Sequence, residues 1–269
     1  MTSEATTSRN APVTPVARGV LFRILAVWTK QELLLLVREP IAVFFCLAFP
    51  LVIYVFIGLP YADNEVSSGV RFIDFMFPTL IGTIAANLLV MGLPIYLAEL
   101  RSKGVDRRYR VMPIPGGIFA TAVILATLAL VVAASIIIIV VVSVVNGLRP
   151  EVLDPVFLGL VLLLISWLCC IGYFLGSLPT SSRTTQAISA AVFFTMFFGS
   201  GAAAPIDGLP GWLKPLLQLN PLKHWFDLLP AIYTSTQIPG NTLWKALAVI
   251  PISGALALWG LRIQKRTAF

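Results

Sequence analysis

The feature that most constrains this chain is a set of long stretches that carry no charged residue. Residues 117–145 form one of them, and a helix needs only about 20 apolar residues to cross a bilayer. Of the 269 residues, 58% are hydrophobic and 12% are charged, whereas soluble domains carry about 25% charged residues. Because so little charge cannot cover a soluble surface, the composition predicts an all-α, multi-span membrane protein.

Six stretches are candidate membrane spans, of which five carry no charged residue and the sixth has one, Lys245, near its end. They lie at residues 41–59, 75–98, 117–145, 155–178, 185–204 and 243–261. Six spans place both termini on one side. With the N-terminus inside, the basic residues left outside, out of 19 Lys and Arg, are Arg71, Arg149, Lys214, Lys223 and Lys245. Because basic residues gather in cytoplasmic loops, both termini are predicted to be cytoplasmic, with the chain in the cell membrane. The net charge of +7 therefore indicates topology rather than nucleic-acid binding.

The segment before the first span has two parts. Residues 1–19 are polar and predict a disordered cytoplasmic tail, which leaves residues 20–269 as one transmembrane domain. Within residues 20–37, the apolar residues that recur on one helical face are Leu21, Ile24, Leu25 and Trp28. Basic residues lie elsewhere on the wheel, which predicts an amphipathic helix in the plane of the membrane interface. The alternative is the start of the first span.

The spans are notable for the groups that they lack. None of the six cores contains an acid, a base or a histidine, which argues against ion-coupled transport, charged-filter channels and intramembrane hydrolysis. One histidine and three cysteines are too few for a multi-histidine metal site or a disulfide framework. The sequence has no Gly-x-x-x-x-Gly-Lys-Ser/Thr phosphate loop, so any ATP-derived energy would come from a separate subunit.

Two loops carry further information. Residues 99–113 are basic, and Val105, Tyr109 and Met112 share one helical face, which predicts a short amphipathic helix that docks on a soluble partner. An ordinary basic loop and a loop on anionic lipid are the alternatives. The outer residues 205–242 combine many prolines with aromatic residues and predict short, half-inserted helices. Within them, His224 and Asp227 stand at i, i+3 and are placed to pair.

Small residues in the fourth span indicate close helix packing. Gly172 and Gly176 form a small-xxx-small pair. Packing within the chain is the first interpretation of this pair, and a dimer interface is the second.

Four motifs, in this order, resemble those of ABC-2 type exporter permeases, a group that includes daunorubicin-resistance and polysaccharide-export permeases. Arg38-Glu39-Pro40 precedes a span with Phe49-Pro50-Leu51, and the basic loop runs from Glu99 through Gly104 to Pro113. The fifth span ends before Pro205-Ile206 and Leu209-Pro210-Gly211-Trp212, and Leu219-Asn220-Pro221-Leu222 follows, with Asp227 downstream. Gly104-Val105 and Tyr109-Arg110 depart from the Gly-Thr and Leu-rich turn that the family often has.

The resemblance implies a fold of six transmembrane helices with an interfacial helix, a cytoplasmic coupling helix and an outer re-entrant hairpin. It also implies a dimer with a second permease copy or a paralogue, in contact with membrane lipids and with ATP-binding subunits, which would hold the ATP and Mg. The residues implied to couple to the ATP-binding subunit are Glu99, Arg101, Lys103, Gly104, Arg107, Arg108 and Tyr109. Those assigned to the outer hairpin are Trp212, Asn220, Pro221 and Asp227.

The substrate path is assigned to neutral, aromatic and methionine side chains of spans two and five. These are Asn87, Met91, Phe193, Met196 and Phe197. Such side chains adapt to apolar shapes, which predicts outward movement of an amphipathic drug, lipid or glycolipid. Ordinary helix packing is the alternative role for each residue. The alternative function is an ATP-independent channel or a scaffold subunit of a membrane complex.

Overall fold

The computed structural model describes residues 18–38, 48–67, 69–105, 117–201, 214–238 and 240–266, and these are mostly helical. The first helices are α1 (Arg18–Val37), α2 (Ala48–Gly58) and α3 (Phe72–Ser102). Next come α4 (Gly117–Asn146), α5 (Pro155–Ser177) and α6 (Ser182–Phe198). The last are α7 (Lys214–Gln218), α8 (Pro221–Tyr233) and α9 (Thr242–Arg266).

Within the described residues, four helices are long and apolar enough to cross a membrane, namely α3, α4, α5 and α9. They coincide with the second, third, fourth and sixth predicted spans. The charge-free pattern therefore located these helices to within a few residues. The helix α3 begins at Phe72 and continues past Ala98 to Ser102, and α9 continues past Leu261 to Arg266.

The other two predicted spans have different outcomes. The first corresponds to α2, whose described part is short, and residues 41–47 lie outside the described residues. The fifth corresponds to α6, but its predicted end at residue 204 is wrong because the helix ends at Phe198. Gly201 takes a φ of 84° and Ser200 donates its hydroxyl to the Phe197 carbonyl at 2.6 Å, so the backbone turns away. The 17 residues of α6 extend about 26 Å, short of a hydrocarbon core of about 30 Å.

A small β-hairpin between α2 and α3 corrects the prediction that the fold is purely α-helical. Strands β1 (Glu65–Ser67) and β2 (Val70–Arg71) pair antiparallel. Gly69 takes a φ of 73° within the turn, a conformation that glycine adopts without steric cost. The Phe72 amide then donates to the Asn64 carbonyl at 2.8 Å and ties the hairpin to the start of α3.

The helix α3 lies at the centre of the bundle and is the most buried of the four long helices. Gly172 and Gly176 of α5 pack against it: a Cβ at Gly172 would lie 1.8 Å from the Leu89 carbonyl oxygen, and one at Gly176 would lie 2.8 Å from the Leu97 side chain. The interpretation of this pair as packing within the chain is confirmed. The helix α8 also packs against α3, where Gly82 admits the Phe226 ring.

The two ends of α3 give names to the two ends of the bundle, the Asp74 end and the Glu99 end. The helix predicted at residues 20–37 is present as α1, while its place in the membrane interface stays a prediction. It packs on α4 at the Glu99 end, with Trp28 edge-on to Phe119 at 6.3 Å between ring centroids. Near the other terminus, Gly260 of α9 lies against Ser177, the last residue of α5. Both terminal helices therefore reach the same end, as an even number of spans requires.

Candidate coupling and substrate sites

The Glu99 end of α3 carries the described part of the predicted coupling segment. Glu99 and Arg101 lie in the last helical turn, and Lys103 pairs with Glu99 at 2.7 Å. Gly104 then takes a φ of 70° and ends the turn. The prediction of a separate helix beginning at Glu99 is therefore wrong at its start, because α3 continues through these residues. Arg107, Arg108 and Tyr109 lie outside the described residues.

A buried contact that the sequence did not single out lies beside this segment. The Tyr96 hydroxyl donates to the Glu32 carboxylate of α1 at 2.6 Å, and only 6% of Glu32 is exposed. A signal was available, since Glu32 follows Trp28 by four residues and so interrupts the apolar face of α1 with an acid. This contact joins α1 directly to the Glu99 end of α3.

The proposed path residues of α3 lie in an irregular part of the helix. Asn87 opens a π-helical segment, Asn87–Gly92, that also contains Met91, and both side chains are half-buried. The π-helical turns hold one residue more than α-helical turns and occur often at functional sites. The segment lies against α6, which places it next to the other proposed path residues.

Those other residues form an aromatic cluster on α6. The rings of Phe193 and Phe197 stack with centroids 5.8 Å apart, and Phe49 of α2 meets both edge-on. Both rings are buried within the chain, whereas Phe194 and Phe198 on the other face of α6 are exposed. The structure thus brings Phe193 and Phe197 together as core packing between α2 and α6.

Asn220 connects α6 to α8 by two hydrogen bonds. Its side-chain amide donates to the Met196 carbonyl at 2.7 Å, and its side-chain oxygen accepts from the Leu222 amide at 3.1 Å. Asn220 is therefore the N-cap of α8, and Pro221 occupies the first helical position, where its missing N–H costs nothing. The predicted hairpin residue Trp212 lies outside the described residues.

Charged and polar side chains on the first turns of α8 pair differently from the sequence expectation. Asp227 accepts from the Lys223 ammonium at i, i+4, while His224 Nε2 contacts the Gln218 carbonyl at 3.0 Å. The suggested His224–Asp227 pair is therefore wrong, because Lys223 lies on the same helical face as Asp227. Burial lowers the pKa of His224 below its usual range, so the ring is neutral near pH 7.

At the opposite end of the bundle, Asp74 is the centre of a buried ionic cluster. Arg71 donates to both carboxylate oxygens at 3.1 and 3.2 Å, and Arg149 Nε donates to one of them at 3.0 Å. The two arginines continue to the backbone, Arg71 to the Asn146 carbonyl at 3.0 Å and Arg149 to the Gly69 carbonyl at 2.9 Å. We call this group the Asp74 clamp.

Two tyrosines extend the Asp74 clamp to further helices. The Tyr54 hydroxyl of α2 donates to the Asn146 side chain, and the Tyr233 hydroxyl of α8 accepts from the Arg149 amide at 3.0 Å. The Tyr233 ring lies between Phe77 and Phe157, with centroids at 5.3 and 5.4 Å. The clamp thus joins α2, α3, α4, α8 and the β-hairpin. In the sequence, Asp74 marked only the boundary of a span.

No group of three or more His, Cys, Asp or Glu side chains close enough to hold a metal ion occurs among the described residues. The sites found are therefore a half-buried segment beside an aromatic cluster, and a charged helix end held against an amphipathic helix. Neither contains a nucleophile paired with a base.

The sequence model of the ABC-2 type transporter family matches residues 23–233, which is well over half of the chain. The chain belongs to the ABC-2 type transporter family. The match begins within α1 and ends at the last residue of α8, so it includes both ends of the bundle. As a member of this family of membrane-spanning permeases, and with the apolar helices described above, the chain is a multi-pass membrane protein.

Two curated proteins are similar to this ABC-2 family member over much of its length. Both are named "Probable multidrug ABC transporter permease YbhR", one from Escherichia coli strain K12 and one from Escherichia coli O157:H7. Each is 27% identical over 198 residues, an alignment that covers 68% of this chain and 50% of the relative. The chain thus spans about half the length of the curated relatives it matches.

Proposed function

We propose that this chain is the permease subunit of an ATP-driven exporter that moves an amphipathic substrate outward across the cell membrane. The observation that carries the proposal is the ABC-2 family match over residues 23–233. The relatives named as probable multidrug permeases support a drug as the substrate, and the neutral, apolar side chains of the proposed path suit a lipid or glycolipid as well. The sequence contains no phosphate loop, so ATP and Mg would bind to a separate ATP-binding subunit.

The proposed docking site for that subunit is the Glu99 end of the bundle. Here the end of α3 with Glu99, Arg101 and Lys103 meets α1, and the basic segment with Arg107, Arg108 and Tyr109 continues from it. Basic side chains on a short segment suit a groove on a soluble protein. The distribution of Lys and Arg supports a cytoplasmic location for this end.

The proposed substrate path runs beside the π-helical segment. Asn87, Met91 and Met196 are half-buried in the single chain, so part of each side chain faces the proposed path. Phe193 and Phe197 support the path from behind through their contact with Phe49. Two copies of the chain would enclose the path between them, in contact with membrane lipids.

The test is reconstitution of the chain with a co-expressed ATP-binding subunit in lipid vesicles. We expect co-purification, ATP hydrolysis stimulated by the permease, and ATP-dependent movement of a fluorescent lipid or a planar dye. The double variant Arg107→Glu/Arg108→Glu should lose both co-purification and stimulation. Lys245→Glu, an exposed basic residue on α9, is the matched control and should lose neither.

Two results would contradict these assignments. Unchanged stimulation in the double variant would remove the docking assignment. Flux or conductance through the purified chain alone, without ATP, would instead favour a passive channel.

A further inference from the structure

We infer that Glu32 is a positioning residue that joins α1 to the Glu99 end of α3, so that the two move as one unit about the π-helical segment Asn87–Gly92. This inference rests on the proposed function, because ATP binding by a partner subunit would drive the movement. It adds the internal path by which force applied at the Glu99 end reaches the spans. We call α1 together with residues 93–104 the lever.

A buried hydrogen bond between Glu32 and Tyr96 holds the lever together. Glu32 and Tyr96 are 6% and 9% exposed, and the hydroxyl donates to the carboxylate at 2.6 Å. Burying a carboxylate is costly unless a donor satisfies it, and a hydrogen bond to a charged acceptor is about twice as strong as a neutral one. The bond therefore resists separation of α1 from α3 more than apolar packing alone would.

The helix α1 contacts the helix on each side of the proposed docking segment. Through Glu32 it contacts α3 just before that segment, and through Trp28 it contacts Phe119 of α4 just after it. A displacement of residues 105–116 must therefore act on helices that α1 bridges. This makes α1 the element that keeps the two sides of the docking segment together.

The other half of α3 is held in place by the Asp74 clamp. Asp74, near its first turn, is 2% exposed and is bound by Arg71 and Arg149, which are themselves tied to α4 and the β-hairpin. Withdrawal of either arginine leaves the nearly buried Asp74 carboxylate with fewer donors, which is costly. The Asp74 end of α3 is therefore the fixed end.

The π-helical segment lies between the lever and the fixed end of α3. The π-helical turn Asn87–Gly92 contains an extra residue in its backbone hydrogen-bond pattern. Pro94 follows it and has no backbone N–H, so one helical hydrogen bond is missing at this point. A change between π and α pairing would rotate one half of α3 relative to the other by about 100°, the angle of one helical residue. A pivot with two discrete arrangements is what coupling between distant sites requires.

The first experiment measures the Glu32–Tyr96 bond as a coupling element in the reconstituted complex. Glu32→Leu and Tyr96→Phe should each lower ATP-dependent transport by about tenfold, the factor that corresponds to about 1.4 kcal/mol. The double variant should be no worse than either single variant, because both remove the same bond. Glu32→Gln keeps an acceptor for the Tyr96 hydroxyl and should restore most of the transport.

The matched control for this experiment is Thr127→Val, a buried polar residue of α4 whose hydroxyl bonds only within its own helix, to the Val123 carbonyl. It should leave transport unchanged. Equal losses in the control and in Glu32→Leu would attribute the effect to general destabilisation. Additive losses in the double variant would overturn the assignment of Glu32.

The second experiment measures the pivot with pairs of spin labels, after replacement of Cys46, Cys169 and Cys170, in complexes diluted with an excess of unlabelled chain. Labels at Val27 and Ser102 lie within the lever, and their distance should not change when ATP binds. Labels at Ser102 and Leu153 report on the lever relative to the fixed end, and their distance should change. Glu32→Leu should broaden the first distance and reduce the change in the second.

The outcomes separate this inference from the proposed function. If the chain does not bind or stimulate an ATP-binding subunit, the proposed function fails. If stimulation and transport are intact but the Ser102–Leu153 distance is the same in every nucleotide state, the pivot is wrong and the proposed function stands.

Discussion

At the scale of single residues, this membrane domain depends on a few side chains that break the rule of an apolar interior. Asp74 and Glu32 are both nearly buried, and each is satisfied by specific donors from another part of the chain. Satisfied buried polar groups fix the relative position of their elements, because any other arrangement leaves a charge unpaired. Glycines have the complementary effect, since they let backbones approach where a side chain would collide.

The Asp74 clamp gives a prediction at this scale. Asp74→Asn removes the carboxylate charge that Arg71 and Arg149 share. We expect the free energy of unfolding to fall by about 2 kcal/mol. This is less than for a fully buried ion pair, because both arginines are partly exposed. Asp63→Asn changes a nearby exposed acid and should have little effect. Thermal unfolding of both variants in detergent measures the difference, and equal melting temperatures would show that the clamp does not stabilise the fold.

Gly172 gives a second prediction, with a control in the same helix. In Gly172→Ala the new Cβ would lie 1.8 Å from the Leu89 carbonyl oxygen, so α3 and α5 must separate, at a cost of about 1–3 kcal/mol. Gly159→Ala places its Cβ in open space and should be neutral or stabilising by up to about 1 kcal/mol. Unfolding in detergent compares the two, and a Gly172 variant as stable as the Gly159 variant would contradict the packing.

At the scale of elements, the architecture depends on where helices end. The helix α6 stops at Phe198 because a glycine turn follows, and α8 begins at Pro221 because Asn220 caps it. Asn220 also holds the Met196 carbonyl, so the end of one helix and the start of another share a single side chain. The position of α8 among α3, α5 and α9 depends on this junction.

The Asn220 junction can be tested by two substitutions that remove different bonds. Asn220→Asp keeps the oxygen that caps α8 but loses the amide that donates to Met196, whereas Asn220→Ala loses both. We expect the free energy of unfolding to fall by about 1 kcal/mol in Asn220→Asp and by about 2 kcal/mol in Asn220→Ala. Hydrogen exchange of residues 214–233 should rise in the same order. If exchange in Asn220→Asp equals that of the unchanged chain, the Met196 contact does not hold α8, and if exchange is equal in the two variants, the cap does not.

At the scale of the whole molecule, the two ends of the bundle differ in chemistry. The Asp74 end is closed by an ionic cluster that joins four helices and the β-hairpin, and the Glu99 end carries α1 and the basic segment. This polarity agrees with a protein that is fixed at one end and acted on at the other. Because the two ends differ, the orientation in the membrane determines which end faces the cytoplasm.

Orientation gives the prediction at this scale. In a chain without Cys46, Cys169 and Cys170, a single cysteine at Leu153 should react with a membrane-impermeant maleimide in intact cells. A single cysteine at Ser102 should react only after the membrane is permeabilised, because the positive-inside rule places the Glu99 end in the cytoplasm. Both side chains are exposed in the structure. The reverse labelling pattern would show that the orientation, and with it the docking site, is inverted.

The elements that follow from composition and local spacing could be predicted from the sequence alone. Apolar stretches with no charge, or with one charge near an end, located α3, α4, α5 and α9, since a bilayer excludes charge over a fixed thickness. The spacing of Leu21, Ile24 and Trp28 located α1, because helical periodicity is a local property. The family could also be recognised from the sequence, because its motifs are short and keep their order along the chain.

The contacts between distant residues could not be predicted from the sequence and became visible in the folded chain. The pairing of Glu32 with Tyr96, of Asp74 with Arg149, and of Asn220 with Met196 joins positions far apart in the chain, and no local spacing encodes such contacts. The π-helical segment and the early end of α6 were also not predicted from the sequence. The hydropathy of an apolar residue is the same whether it lies in an α-helix, a π-helix or a turn. Composition thus fixes which segments can enter the membrane, while packing and buried hydrogen bonds fix how they are arranged there.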